Sequence, residues 1–172
     1  MSAEIAVSAS GLGKQYGAKW ALESCTLEIP TGSVTALVGP NGAGKTTLLQ
    51  LVVGLTAPST GQVSVFGHAP REEASSVLPR VGFVAQEHPL YGRLTVAEML
   101  KLGRRFNPSW DDELARDRVG QLDLPAGQRI GSLSGGQQAQ VALTLALAKR
   151  PELLVLDEPV ASLDPLARRE FL

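Results

Sequence analysis

The sequence contains the stretch Gly39-Pro40-Asn41-Gly42-Ala43-Gly44-Lys45-Thr46, which fits the pattern G-x-x-x-x-G-K-[ST]. In such a loop, the glycines allow tight turns that expose backbone N–H groups to phosphate oxygens. Lys45 can bring a point charge to a phosphate chain, and the Thr46 hydroxyl suits Mg²⁺ as a ligand. The stretch therefore predicts a phosphate-binding loop.

The flanks of the loop predict a strand before it and a helix after it. Residues 34–38 form a β-branched apolar run, VTALV, and apolar residues recur through residues 45–53 until Gly54. A helix that begins at the loop would direct its unsatisfied N–H groups and positive dipole end towards the phosphates. The alternative is a glycine-rich turn that binds nothing.

Composition limits the classes of protein that the chain can represent. With 172 residues and a net charge of −1, it fits one domain and carries no basic field for nucleic acid. Cys25 is the only cysteine, which excludes an internal disulfide. We find neither a signal peptide nor an apolar run of about 20 residues, so we expect a cytosolic protein or one held at a membrane by a partner.

Upstream of the loop, weak alternation at residues 4–9 and 22–29 predicts two strands, separated by a turn-rich stretch at residues 11–17. Tyr16 could stack on an adenine ring, or it could be an ordinary half-exposed tyrosine. Trp20 is a second aromatic candidate, although its apolar neighbours favour packing in the core.

Polar side chains follow two further predicted strands. Gln86 comes after an apolar run at residues 81–84, where ligands bind in α/β sheets, although many such glutamines only cap a strand. Asp157 and Glu158 follow the buried-type run at residues 153–156. In a chain with a phosphate loop, Asp157 could help to hold Mg²⁺ and Glu158 could accept a proton from water. Structural carboxylates are the alternative.

The middle of the chain predicts a helical layer. Thr95 and Glu98 form a T-x-x-E capping box, and residues 109–112 indicate a second helix start after the break at Asn107-Pro108. Met99 and Trp110 have the spacing of core residues in this layer.

A second glycine-rich helix start follows at Ser134-Gly135-Gly136-Gln137. Ser134 and Gln137 can form a capping box, so this is another helix N-terminus suited to an anion. Each helical glycine costs about 1 kcal/mol relative to alanine, and close approach to a ligand is a reason for that cost. A capped helix without a ligand is the alternative.

These motifs occur in the order found in the ATP-binding cassette ATPases, and the resemblance spans nearly the whole chain. They are similar to the Walker A, Q-loop, signature, Walker B and D-loop motifs of an ABC transporter's ATP-binding subunit, here at Gly39 to Thr46, Gln86, Leu133 to Gln137, Leu153 to Glu158 and Ser162-Leu163-Asp164. The resemblance implies an α/β fold of the ABC-type P-loop NTPases. Its core sheet would be mainly parallel, with an N-terminal antiparallel β-subdomain and an inserted helical subdomain.

The resemblance also implies the domain organisation. Residues 1–172 would form a single ABC ATP-binding domain, with residues 1–91 and 141–172 as the ATPase core and residues 92–140 as the helical subdomain ending in the signature motif. The switch histidine of such proteins lies beyond the D-loop, whereas His68 and His88 both precede the signature motif. We therefore expect a cassette that is incomplete at its C-terminus.

Functional roles follow from the resemblance, position by position. Lys45 and the amides of residues 42–47 would bind the phosphates of ATP, Glu158 would be the catalytic base, and Gln86 would assist catalysis. Thr46, Gln86 and Asp157 would hold Mg²⁺. The expected nucleotide contacts are Tyr16, Gly39, Pro40, Asn41, Gly42, Ala43, Gly44, Lys45, Thr46, Thr47, Ser134, Gly135, Gly136, Gln137 and Asp164.

The resemblance implies two kinds of partner and no nucleic acid. Ser134, Gly136 and Gln137 would contact ATP bound to a second ATP-binding subunit, so that two subunits form a head-to-tail homo- or heterodimer. Residues 87–91 and the helical layer would face a transmembrane permease subunit at the cytoplasmic face of the cell membrane. One departure from the family is that Gln138, Ala139 and Gln140 stand where a basic residue is common, which leaves the contacts of that helix open.

Two other functions remain open at this stage. One is a soluble ATP-driven switch of the same superfamily, which would generally carry a second cassette, a coiled-coil insertion or a basic surface. The other is a module that binds ATP but does not turn it over. The short helical layer and its Asn107-Pro108 break resemble exporter-type cassettes, although the sequence does not decide the direction of transport.

Overall fold

The computed structural model describes residues 4–158, which divide into two units, residues 4–78 and residues 79–158. The first unit contains an antiparallel sheet in the order β2-β1-β3, formed by β1 (Ile5–Tyr16), β2 (Lys19–Pro30) and β3 (Thr60–Val65). Its helices are α1 (Lys45–Val52) and the short α2 (Ala74–Val77). The apolar residues Val7, Ala9, Leu12 and Val65 of β1 and β3 are buried, as expected for a sheet with one face in the core.

Strand β1 is longer than the sequence predicted. Residues 11–16, which we expected in a turn, continue the strand to Tyr16, and the hairpin reverses only at residues 17–18. Register shifts accommodate Gly11, whose φ is 55°. Gly13 allows close packing, because a Cβ there would meet the hydroxyl of Thr60 and the ring of Trp20. Pairing with two neighbouring strands thus overrides a local turn signal.

The strand expected before the phosphate loop is not formed. Residues 31–44 contain neither helix nor strand, and Val34 and Val38 are 104% and 89% exposed. A β-branched apolar run predicts a strand only where a neighbour supplies the other half of the ladder. Within residues 4–78 this run pairs with no strand, so the expectation was wrong for the described structure.

The second unit combines a parallel strand pair with helices. Its elements are β4 (Val81–Val84), α3 (Val96–Phe106), α4 (Asp112–Gln121), α5 (Gly135–Ala148) and β5 (Leu153–Leu156). Strands β4 and β5 are parallel, with Val84 opposite Leu156. A parallel pair requires a long crossover, and the three helices lie in that crossover. The half-buried Lys149 donates to the carbonyl of Val81 over 2.8 Å, and burial lowers the pKa of its ammonium group.

The helical layer has its own apolar core. Val96, Met99, Val119, Ile130 and Val141 belong to one buried cluster, which confirms Met99 as a core residue. The capping box of Thr95 and Glu98 is present at the start of α3. Helix α4 has Asp111 as its N-cap, and the N–H of Leu114 and the Arg150 guanidinium hold the pKa of the Asp111 carboxyl below its usual value.

Alanine substitutions at two glycines of this layer are expected to change the free energy of unfolding in opposite directions. A Cβ on Gly103 would lie 2.6 Å from the ring of Trp110, whereas a Cβ on Gly120 would meet nothing within 4 Å. We expect Gly103→Ala to lower the free energy of unfolding by about 1–3 kcal/mol through overpacking. Gly120→Ala should raise it by up to about 1 kcal/mol, because alanine is the better helix former. Urea unfolding of both variants measures these changes, and equal effects would contradict the packing of Trp110 on Gly103.

Candidate functional site

The phosphate loop of the first unit ends where helix α1 begins. Gly44 is the N-cap of α1 with φ of 87°, and Gly42 has φ of 82°, a left-handed conformation that glycine adopts without strain. A Cβ on Gly44 would collide with the carbonyl oxygen of Ala21, so glycine is required there for packing as well. As a glycine, Gly44 has no side chain that could cap the first turn of α1, and a helix start of this kind suits an anion.

Lys45 is held by the loop to which it belongs. Its Nζ donates to the carbonyl oxygens of Gly39 and Pro40 over 2.8 and 2.9 Å. The loop residues Pro40, Asn41 and Ala43 are exposed, and Thr46 and Thr47 lie in the half-buried first turn of α1. A cation, left-handed glycines and an uncapped helix start suit a polyphosphate, so the residues present fit the group that the sequence predicts.

Tyr16 lies at the end of β1, opposite Lys19, and not in a loop as expected. Its side chain is 51% exposed, and the Nζ of Lys14 lies 5.1 Å from its ring centroid. Lys14 also donates to the carbonyl of Ala57 over 2.8 Å. This cation–π contact favours a fixed ring beside the hairpin turn. The competing Trp20, which we expected in the core, packs against Gly13 but is 39% exposed, so that expectation was wrong.

In the second unit, Gln86 and Glu158 lie together. Each follows its strand by two residues, and because β4 and β5 are parallel, both strands end at the same edge of the pair. The Nε2 of Gln86 donates to the Oε2 of Glu158 over 3.0 Å. Asp157 is 4% exposed, and its N–H extends the ladder by donating to the carbonyl of Val84 over 2.9 Å. The structure thus brings an amide and a carboxylate together beside a buried carboxyl group.

Glu158 has an unusual backbone conformation. Its φ is 48°, in the left-handed region that side chains other than glycine rarely adopt. Such strain concentrates at functional sites, where the surrounding structure maintains it. The sequence provides no signal for this conformation.

The signature segment forms the expected capping box at the start of α5. The Oγ of Ser134 accepts from the N–H of Gln137 over 3.2 Å, and the Oε1 of Gln137 accepts from the N–H of Ser134 over 2.9 Å. Gly135 and Gly136 form the first helical positions. Gln138, which stands near the position of the family's basic residue, donates from Nε2 to the carbonyl of Leu133 over 3.0 Å. Gln138 therefore holds the turn that precedes Ser134.

The segment after Gln86 contains a buried histidine that sequence reasoning assigned to a partner interface. His88 is 6% exposed with φ of 44°, and its Nε2 has no hydrogen-bond partner among the described residues. Burial lowers the pKa of its imidazole. Its neighbours Glu87, Pro89 and Tyr91 are exposed, and Leu90 packs against the helical core.

The expected D-loop motif lies outside the described residues. Asp164 and the rest of Ser162-Leu163-Asp164 fall beyond residue 158. Residues 4–158 hold no cluster of three or more His, Cys, Asp or Glu side chains suited to a metal ion. Every helix within residues 4–158 is too short or too polar to span a bilayer.

Comparison with known proteins places these features in one family. A family model described as ABC transporter matches residues 22–161. A phosphonates import ATP-binding protein, PhnC 2, of a Synechococcus species is 39% identical over 94% of this chain and 66% of its own length. The sulfate/thiosulfate import ATP-binding protein CysA of Bordetella pertussis is 40% identical over 97% of this chain and 49% of its own length. The chain thus spans about half to two-thirds of the length of these relatives.

Solved structures agree with the sequence relatives. The ATP binding subunit of an ABC transporter superposes with a TM-score of 0.82 at 27% identity, covering 95% of this chain and 70% of that one. The dimeric structure of a bacterial ABC transporter cassette superposes with a TM-score of 0.83 at 27% identity, covering 95% and 78% of the two chains. These matches confirm the predicted α/β fold class of the ABC-type P-loop NTPases.

Proposed function

Because the chain belongs to the ABC transporter family, we propose that it binds and hydrolyses Mg-ATP to drive transport of a substrate across a membrane. The observation that carries this proposal is the hydrogen bond between Gln86 and Glu158, at the ends of two parallel strands. A glutamine and a carboxylate joined after adjacent strands provide a metal-ligand oxygen and a proton acceptor in the same place.

We assign the nucleotide roles residue by residue. Lys45 and the backbone N–H groups of residues 42–47 bind the phosphates, and the half-exposed Tyr16 ring stacks on adenine. Thr46, Gln86 and Asp157 hold Mg²⁺, which when bound neutralises charge that develops on the phosphate oxygens. Glu158 accepts the proton of the attacking water. Gly39, Pro40, Asn41 and Ala43 shape the loop, and Asp164 completes the predicted contacts.

The signature helix contacts a second ATP-binding subunit, in a homo- or heterodimer. Ser134 is exposed and its hydroxyl already accepts a backbone N–H, so its O–H remains available as a donor. Together with the N–H groups of Gly135 and Gly136 and the side-chain Nε2 of Gln137, it presents a helix N-terminus to the γ-phosphate of ATP on the opposite subunit. A similar cassette solved as a dimer supports the pairing of two ATP-binding subunits, and we propose that the pairing is head-to-tail.

The remaining partners follow from the same assignment. We propose a transmembrane permease subunit that contacts the exposed residues after Gln86 and the helical layer, with the ATPase peripheral on the cytoplasmic face.

The named relatives are import ATP-binding proteins. We therefore propose import, in place of the exporter-type resemblance of the helical layer. We keep residues 1–91 and 141–172 as the proposed ATPase core and residues 92–140 as the helical subdomain.

Nucleotide binding by the phosphate loop tests this function directly. In the full-length protein, Lys45→Ala should raise the Kd for ATP about 10- to 100-fold, because a charge-assisted hydrogen bond contributes about 1.5–3 kcal/mol. Isothermal titration calorimetry measures the Kd. The matched control is Lys101→Ala, which removes an exposed lysine of α3. An unchanged Kd in Lys45→Ala would contradict the assignment of the loop.

A further inference from the structure

We propose that Gln86 acts with both ends of its amide: the nitrogen holds the catalytic base Glu158, while the oxygen serves the metal ion. Gln86 is then a positioning residue for Glu158 in addition to being a metal ligand. The inference rests on the proposed ATPase function and deepens it. The two roles explain why position 86 holds a glutamine.

The sheet sets the distance between the two side chains. Val84 and Leu156 are partners in the parallel ladder, and the bond from the N–H of Asp157 to the carbonyl of Val84 extends that ladder one residue beyond β5. Gln86 lies two residues after Val84, and Glu158 lies one residue after Asp157. Their contact therefore depends on the backbone pairing of the two strands.

The chemistry of the pair determines which atom of the amide faces Glu158. An ionised carboxylate only accepts hydrogen bonds, so the atom of Gln86 that lies 3.0 Å from Oε2 is the nitrogen. The amide oxygen lies on the other arm of the same planar group. No donor among the described residues bonds to this oxygen, and it remains available for a cation.

Glu158 needs such a partner more than an ordinary surface glutamate does. Its side chain is exposed, and a free glutamate side chain samples many rotamers. Its backbone has φ of 48°, so the chain alone does not favour this arrangement. The hydrogen bond from Gln86 restricts the carboxylate to one position at the end of the parallel pair.

No close substitute for glutamine provides both functions. Glutamate has a metal-binding oxygen, but it lacks the donor and would repel Glu158. Asparagine has both amide atoms on a side chain shorter by one methylene group. Alanine has neither function. The proposal therefore predicts that these variants separate metal binding from positioning of the base.

The experiment compares Gln86→Glu and Gln86→Ala with the wild-type full-length ATPase. We expect Gln86→Glu to keep the affinity for Mg-ATP and the KM close to wild type, while kcat falls about 10-fold or more because the base is misplaced. Gln86→Ala should lose both Mg²⁺ affinity and kcat. Circular dichroism verifies the fold of both variants, which change an exposed side chain.

A second measurement requires neither nucleotide nor turnover. The side-chain amide signal of Gln86 in the ¹⁵N–¹H NMR spectrum is identified by its loss in Gln86→Glu. In the metal-free protein, Glu158→Ala should shift this signal and accelerate its hydrogen exchange. Glu87→Ala, which removes the neighbouring exposed carboxylate, should leave the signal unchanged.

The outcomes distinguish the inference from the function on which it rests. The dual role of Gln86 is overturned if Gln86→Glu has the wild-type kcat. It is also overturned if Glu158→Ala changes neither the position nor the hydrogen exchange of the Gln86 amide signal. A wild-type protein that binds ATP without hydrolysing it overturns the proposed ATPase function instead, and the NMR signal still reports on the pair.

Discussion

Glu158→Gln is expected to lower the turnover number for ATP by about 10²–10⁴-fold, the usual contribution of a positioned general base. The amide removes the proton acceptor but retains an oxygen that can accept from the Nε2 of Gln86. The hydrogen bond that the Nε2 of Gln86 makes over 3.0 Å can therefore also form with glutamine, whose side chain has the same shape as glutamate. Binding of ATP should remain, because the phosphate loop is unchanged.

Steady-state hydrolysis and a parallel measurement of the ATP Kd, both with full-length protein, provide the test. Glu113→Gln is the matched control, since it makes the same chemical change on the exposed side of the first turn of α4. It should hydrolyse ATP at the wild-type rate. If Glu158→Gln turned over ATP nearly as fast as wild type, Glu158 would not be the base.

Ser134→Arg is expected to abolish ATP-dependent dimerisation while leaving ATP binding to the separate subunit intact. Ser134 is exposed at the N-cap of α5, so a long cationic side chain would occupy the space assigned to the opposite subunit's nucleotide. The positive end of the helix dipole also disfavours a cation at this position. Loss of the cap itself costs only about 1 kcal/mol, so the helix should persist.

Analytical ultracentrifugation with ATP, in a Glu158→Gln background that prevents turnover, measures the dimer. Ser134→Ala separates the loss of the cap from the added bulk and should dimerise more weakly without losing the dimer. Ser76→Arg, at an exposed serine of α2, controls for the added charge. Dimers of normal affinity in Ser134→Arg would contradict the head-to-tail model.

Local chemistry made several elements predictable. The capping boxes at Thr95 and Ser134 form as expected, because each depends on hydrogen bonds between residues three apart. Helix α1 begins at Lys45 and the chain reverses after Val52, with Gly54 in the left-handed region at φ of 75°. Strands β4 and β5 were legible as short apolar runs that end before polar residues.

Features that depend on distant partners were not predictable in the same way. The run at residues 34–38 has strand composition but forms no ladder within its unit, whereas the glycine-rich stretch at residues 11–16 forms one. In both cases the presence or absence of a neighbouring strand decided whether a strand formed. The burial of His88, beside exposed neighbours, likewise depends on packing that its own sequence context does not describe.

The sequence by itself determined the family, the order of the motifs and the residue types that suit phosphate, magnesium and proton transfer. These are local properties, since each motif carries its glycines, caps and charged groups within a few residues. Only the tertiary structure decided that Gln86 donates to Glu158 and that Gln138 holds the turn before Ser134. The first contact joins residues 72 positions apart. It forms because parallel pairing of β4 and β5 brings two strand ends to the same edge, which no local pattern specifies.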